Sequence, residues 1–130
     1  MELFDILKDT KVIAIVGCSH DEAKASHRVA KFLKGVGYKI IPINPTADVI
    51  LGEKVYKSLD DVPVSVDIVD VFRPAAETLE ITKQAVKHNA KVVWLQEGIV
   101  SEEAKEYAAR NGIEFVQDRC TMKVYKKMVE

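Results

Sequence analysis

Residues Val12 to Val16 read VIAIV, five apolar positions in a row with nothing polar between them. A strand with one face in water alternates polar and apolar residues, so an unbroken run must be covered on both faces, as in a central strand of a parallel sheet. The next segments fit such a sheet. Ser26 to Val36 carries Val29, Ala30, Phe32, Leu33 and Val36 at helical spacing, Gly35 and Gly37 end that helix, and Tyr38 to Ile43 supplies a second apolar strand. The alternation continues with a strand at Val66 to Phe72, a helix at Ala75 to His88 and a strand at Val92 to Leu95. Ser101 then offers a cap and Glu102 and Glu103 an acidic first turn to a helix reaching Arg110, before a fifth strand at Ile113 to Gln117. A short amphipathic helix from Glu2 to Lys8 comes first and another from about Thr121 comes last. Thr46 to Val66 is irregular and reads as a loop with a short helix near Ser58. The expectation is an α/β, Rossmann-like single domain over residues 1–130, with a doubly wound, five-stranded parallel sheet in the order 3-2-1-4-5.

Composition narrows the functions open to such a domain. At 130 residues with 48% hydrophobic content, the chain can bury a sizeable core. Its charged residues nearly balance, with a net charge of −1, which disfavours a nucleic-acid partner. The start, MELFDILKDT, is acidic where a signal peptide is positive, and no apolar run approaches the roughly 20 residues of a membrane span. These features point to a cytoplasmic protein with no membrane partner. Cys18 and Cys120 lie far apart without CxxC spacing, and His20, His27 and His88 make no metal-ligand spacing with them. Free thiols and no metal are expected.

In a doubly wound sheet, ligands sit beyond the carboxyl ends of the strands. There the sequence places Gly17, Cys18 and Ser19 after the first strand and Asn44 and Pro45 after the second. Arg73 and Pro74 follow the third, Gln96, Glu97 and Gly98 the fourth, and Asp118, Arg119 and Cys120 the fifth. Gly17 permits a sharp turn, Ser19 offers a hydroxyl, and a helix starting beside Ser26, His27 and Arg28 attracts an anion, with Lys24 as a nearby cation. The turn lacks the second and third glycines of a dinucleotide fingerprint, and a neutral Asn44 stands where a carboxylate would hold a ribose diol. A neutral residue there, unlike a carboxylate, does not repel a ligand phosphate. Arg73 is suited to pair with a phosphate through two parallel hydrogen bonds, and Phe72 either to lie against a base or to pack in the core. Cys18 with His20 lacks an orienting third group, so it makes a weak nucleophile and base. For Asp67 and Asp70, capping or solvation is the expected role.

The combination of Val16-Gly17-Cys18-Ser19 and Lys24-Ala25-Ser26-His27 with GYKIIPINP, LGEKVYKSL, DIVDVFRP, VWLQEGI and VQDRC resembles the small stand-alone CoA-binding proteins of Rossmann type. These are similar in turn to the CoA-binding domain of the succinyl-CoA synthetase alpha subunit. The resemblance runs from Lys11 to Cys120 and implies coenzyme A or an acyl-CoA as ligand, without evident catalytic machinery. It implies that the diphosphate lies at Gly17, Cys18 and Ser19, helped by Lys24 and the helix start at Ser26, His27 and Arg28. The adenosine end is then implied at Asn44, Pro45, Phe72, Arg73 and Pro74, and the pantetheine arm near Gln96 and Gly98. Cys18 departs from the alanine common in this pattern, adding a thiol that raises the possibility of a mixed disulfide with CoA. Two alternatives stay open at this point: an enzyme of acyl-CoA or thiol chemistry using Cys18 or Cys120, and a nicotinamide-binding redox protein.

Overall fold

A computed structural model of the chain describes residues 2–130. Five parallel strands form the sheet: β1 (Val12–Val16), β2 (Lys39–Ile43), β5 (Ile68–Val71), β6 (Val92–Leu95) and β7 (Glu114–Val116). A separate two-stranded hairpin, β3 (Val49–Ile50) with β4 (Glu53–Lys54), falls in the segment expected to be a loop. Its two turn residues, Leu51 and Gly52, both have positive φ, 54° and 75°. That geometry suits a tight hairpin but is rarely signalled by a leucine. The short helix expected near Ser58 is a 3-10 turn over Leu59–Asp61, capped by the Ser58 side chain. The α-helices are α1 (Leu3–Asp9), α2 (Ala25–Gly35), α3 (Thr78–Lys87), α4 (Glu102–Arg110) and α5 (Thr121–Met128). None among the described residues is long and apolar enough to cross a membrane.

The α/β class and the five-stranded parallel sheet agree with the sequence reading; the strand order does not. The sheet runs β2-β1-β5-β6-β7, so the third of its strands in chain order lies beside the first, giving 2-1-3-4-5 in place of 3-2-1-4-5. Pro42 supplies a physical reason. It lies in β2 opposite Ile15 of β1, and its carbonyl points outward to accept from the Tyr56 amide at 3.1 Å. The backbone N–H that proline lacks would point to that same outer side, which a central strand would need for its ladder. With β2 at the edge nothing is lost. The edge is covered by a single parallel bridge between Ile43 and Tyr56.

Register divides the core into two layers. Ile13, Ile15, Ile68, Val92 and Trp94 face α1, α2 and α5, together with Leu7, Val29, Ala30 and Leu33. Ala14, Val69, Val71, Val93 and Leu95 face the other side, against Leu59, Val62, Ile81, Ala85 and Ala108 from the 3-10 turn and its following loop, α3 and α4. Both faces are therefore covered, as the unbroken apolar strands require. Trp94 is fully buried, and its indole N–H donates to the Arg119 carbonyl at 2.9 Å, so its polar atom is satisfied without breaking the layer.

Candidate functional site at the carboxyl edge of the sheet

Parallel pairing sets Val16 level with Ile43 on one side and Val71 on the other. The chain leaves β1 towards β2 but leaves β5 towards β6, so strand order reverses between β1 and β5 and opens a crevice there. The turn after β1 runs hard against the end of β5. Gly17 has φ 84°, and a Cβ on it would lie 2.8 Å from the Phe72 carbonyl oxygen and 2.8 Å from Arg73 Cδ. Only glycine fits this position, and the contact that demands it is with the neighbouring loop of the protein.

Hydrogen bonds fasten the turn from within. The amides of Gly17 and Cys18 both donate to the Ile43 carbonyl, at 3.0 and 3.2 Å. The Ser19 amide donates to Ser26 Oγ at 2.9 Å, and His27 Nδ1–H donates to the Ser19 carbonyl at 2.9 Å. Ser26 and His27 are buried, so their side chains tie the turn to α2, and the cap position of that helix belongs to Lys24. Arg28 donates to the Ala23 carbonyl. Asn44 is engaged at both ends of its amide: Nδ2 donates to the Cys18 carbonyl at 2.8 Å, while Oδ1 accepts from the Thr46 and Ala47 amides at 2.9 and 3.0 Å. A carboxylate at this position has no donor for the Cys18 carbonyl. The amides of Gly17, Cys18 and Ser19 are thus committed internally. Those opening α2 at Ala25 and Ser26 have no intrahelical acceptor, no side-chain cap and no acidic residue in the first turn.

Two clefts flank this turn. The first, about 450 Å³, is lined by Gly17, Ser19, Asn44, Pro45 and Arg73 of the expected residues, together with Lys57, Ser58, Glu77, Ile81 and Gln84. The second, about 280 Å³, is lined by Phe72, Arg73, Pro74 and Gln96, with Ala25, Val29, Glu97, Ile99 and Cys120. Arg73 belongs to both. Lys24 and Arg28 are exposed and line neither cleft, and Gly98 stays outside, its amide donating to Asp118 Oδ1 at 2.8 Å. Sequence reasoning did not single out Lys57, Ser58, Glu77, Ile81 or Gln84. The last three share one helical face at spacings of four and three, a signal that could have been read once Arg73 was placed at the start of that helix. Lys57 and Ser58 carry no such periodicity.

Charge in the site differs from expectation at three residues. Arg73 already holds a carboxylate: its Nε donates to Glu77 Oε1 at 3.1 Å and its Nη2 to Oε2 at 2.8 Å, with both side chains half exposed. This pairing raises the Arg73 pKa and lowers that of Glu77. Cys18 is fully buried among apolar side chains, and burial, with the nearby Asp70 carboxyl, pushes its thiol up to about 12. A thiol so placed lines neither cleft and is held in its protonated form by burial, which argues against a nucleophile and against a mixed disulfide with CoA. Asp70, expected to cap or to be solvated, is fully buried in β5. It accepts from Gln96 Nε2 and from Thr121 Oγ1, the latter at 3.0 Å, and burial pushes it up to about 7 against those two hydrogen bonds. Asp67 does cap, at the opposite end of the sheet, accepting from the Lys11 and Val12 amides at 2.9 Å each. Among the described residues no cluster of three or more His, Cys, Asp or Glu could hold a metal ion.

The sequence pattern of the CoA binding domain matches residues 11–126, nearly the whole of this architecture. The chain belongs to the CoA binding domain family. A curated relative, the uncharacterized protein YneT of Bacillus subtilis, is 38% identical over 119 residues, covering 92% of this chain and 88% of the relative. The ADP-forming acetate–CoA ligase of Methanocaldococcus jannaschii is 31% identical over 118 residues, 85% of this chain but 17% of the ligase. Among solved structures, a hypothetical protein from Pyrococcus horikoshii superposes with a TM-score of 0.95 at 35% identity, over 98% of this chain and 90% of that one. The dinucleotide-forming acetyl-coenzyme A synthetase 1 of Ca. Korarchaeum cryptofilum, in complex with phosphate and ADP, gives 0.73 at 30% identity, over 86% of this chain and 26% of the synthetase. The family domain is thus similar both to free-standing chains and to one segment of much longer ligases.

Proposed function

We propose that this protein binds coenzyme A or an acyl-CoA across the carboxyl edge of its sheet and acts as a binding module. The observation that carries the reading is the pair of clefts meeting at Arg73, directly over the β1/β5 switch point. A ligand with a compact polar end, a charged middle and a slender arm matches that shape. The adenosine end occupies the first cleft, between Asn44-Pro45 and the face of Glu77, Ile81 and Gln84. The diphosphate lies at the uncapped start of α2, where Ala25 and Ser26 present free amides. The pantetheine arm runs into the second cleft beside Phe72, Pro74 and Gln96.

Within this reading Gly17, Cys18, Ser19, Ser26, His27 and Asn44 shape the turn, while Lys24 and Arg28 supply exposed positive charge beside it. Arg73 meets the 3′-phosphate only by giving up part of its hold on Glu77, so Glu77 competes with the ligand. Titration calorimetry with CoA, dephospho-CoA and NAD tests the assignment. CoA should bind best and NAD poorly. Arg73→Ala should erase most of the preference for CoA over dephospho-CoA, about ten-fold if one charge-assisted hydrogen bond is lost, and Glu77→Ala should enlarge it. NAD binding as tightly as CoA, or no heat with CoA, overturns the assignment.

A further inference from the structure

Asp70 is an anomaly in a strand that is otherwise apolar. It sits opposite Ile15 of β1 and Trp94 of β6, has no exposed surface, and is met by no cation. Its two oxygens are taken by Gln96, from the residue after β6, and by Thr121, from the first turn of α5. Gln96 Nε2 is in addition 3.1 Å from Thr121 Oγ1, so the three side chains close a ring of hydrogen bonds. Both donors of the Gln96 amide are therefore turned inward. Its Oε1 has no protein partner, yet no buried side-chain atom is left unsatisfied among the described residues, so this oxygen is reached from outside, and Gln96 lines the second cleft.

We infer that Asp70 and Thr121 are positioning residues that hold the Gln96 amide so that its Oε1 faces the second cleft as a fixed acceptor, selecting a ligand arm that carries N–H or O–H donors. The inference rests on the CoA reading for the identity of that arm: pantetheine carries two amide N–H groups and a hydroxyl, whereas a nucleotide lacking the arm has nothing to offer there. The ring also makes the acceptor conditional on charge. While Asp70 is ionised it can only accept, so Gln96 must donate to it and present oxygen to the cleft. Once Asp70 carries a proton it donates to the Gln96 oxygen, the amide turns over, and an N–H faces the cleft in place of the acceptor. Burial already places this protonation near neutral pH. Arm binding is therefore strongest above that point and weakens below it.

Arg73 and Glu97 line the second cleft, Glu97 paired with Lys123 of α5 at 2.9 Å, and the other titratable groups near this face are few. The Cys18 thiol stands beside Asp70 from the turn after β1. Cys120 precedes Thr121 at the start of α5, and His27 comes from α2 with its Nδ1 engaged by the Ser19 carbonyl. The same core layer contributes Ile6 and Leu7 from α1 and Val29 and Ala30 from α2, which do not titrate, and Tyr125 from α5.

The test uses the intact protein, its Asp70→Asn and Thr121→Val variants, and two probes. CoA carries the arm and adenosine 3′,5′-bisphosphate lacks it. Asn at 70 offers the donor that a protonated Asp70 would, so Asp70→Asn should bind CoA about three- to ten-fold more weakly than wild type at pH 8, the worth of one neutral hydrogen bond. It should match wild type near pH 5.5. Taking the ratio of the two proteins at each pH cancels the titration of the ligand's own phosphate. Adenosine 3′,5′-bisphosphate should bind both proteins alike throughout. Thr121→Val, which keeps the carboxyl, should weaken CoA alone and less. In the free protein, the side-chain amide resonances of Gln96 should shift with a midpoint near pH 7 in wild type and stay flat in Asp70→Asn. Flat Gln96 resonances in wild type overturn the inference whatever CoA does. A CoA affinity ratio that does not change with pH overturns it too, as does a pH response that survives in Asp70→Asn, which assigns the response to a group other than Asp70. Failure of CoA to bind while the Gln96 resonances still titrate as expected overturns the CoA reading and leaves the ring as the acceptor for another donor-bearing arm.

Discussion

Replacing Gly17 with alanine should destabilise the protein for two separable reasons. Its φ of 84° lies where a side chain is strained, which alone costs about 1–2 kcal/mol. In addition the new Cβ would sit 2.8 Å from the Phe72 carbonyl, which cannot easily retreat, because the Phe72 amide is hydrogen-bonded to the Val16 carbonyl at 2.9 Å. Forcing the loop apart adds a further 1–3 kcal/mol or so, the usual range for overpacking. Gly98 provides the control. Its φ of 83° is nearly the same, but a Cβ there would meet nothing within 4 Å, so Gly98→Ala carries the backbone cost alone. Urea or thermal unfolding of the two variants should place Gly98→Ala about 1–2 kcal/mol below wild type and Gly17→Ala about 2–5 kcal/mol below. For a domain of this size each kcal/mol moves Tm by roughly 4 °C, so the melting curves should separate by several degrees. Equal destabilisation of the two variants would refute the claim that Gly17 is required by its contact with the end of β5. Because that contact also seats the Arg73 side chain, Gly17→Ala should lose CoA affinity as well, even under conditions where it is fully folded.

Asp67→Ala should cost about 2–3 kcal/mol at pH 7, since it removes the acceptor for two backbone amides at the start of β1. Burial raises the Asp67 pKa, but the Val12 and Lys11 amides and the Lys91 ammonium outweigh it and hold the carboxyl below its ordinary value. Its contribution is therefore present above the unfolded pKa near 4 and is lost as pH falls further, so the gap between wild type and variant in urea melts should close in acid. Asp70 has the opposite sign: with its folded pKa raised to about 7, the native state holds a proton that the unfolded chain releases near pH 4. Wild-type stability should accordingly drop, relative to Asp70→Asn, by up to a few kcal/mol as pH rises from about 4 to 7 and then level off; a difference independent of pH contradicts the burial argument. A thiol reagent at about pH 8 should leave Cys18 unmodified in the folded protein and label it on unfolding, as peptide mapping by mass spectrometry would show; labelling of native Cys18 would mean that the turn opens.

The alternation of strands and helices is legible in the amino-acid order alone, because two-faced burial and helical spacing are written within roughly five to fifteen consecutive residues. So is the set of residues standing at the carboxyl edge. Gly17, Ser19, Asn44, Arg73 and Gln96 each follow an apolar run closely, and parallel pairing brings such positions together whatever the strand order. Strand order was less legible. Pro42 is a local mark against a central place for β2 that the expected order did not take into account, but where the next strand inserts depends on pairing across the chain, and no local pattern records it. The same holds for what each site residue does. Arg73 is half-claimed by Glu77, Asn44 is engaged by its neighbours, and Cys18 is turned into the core. Asp70, for which the sequence suggested a cap or a solvated residue, meets partners 26 and 51 positions away. A residue's chemistry is local to the chain, whereas its hydrogen-bond partners and its access to water are settled only when distant segments pack against it.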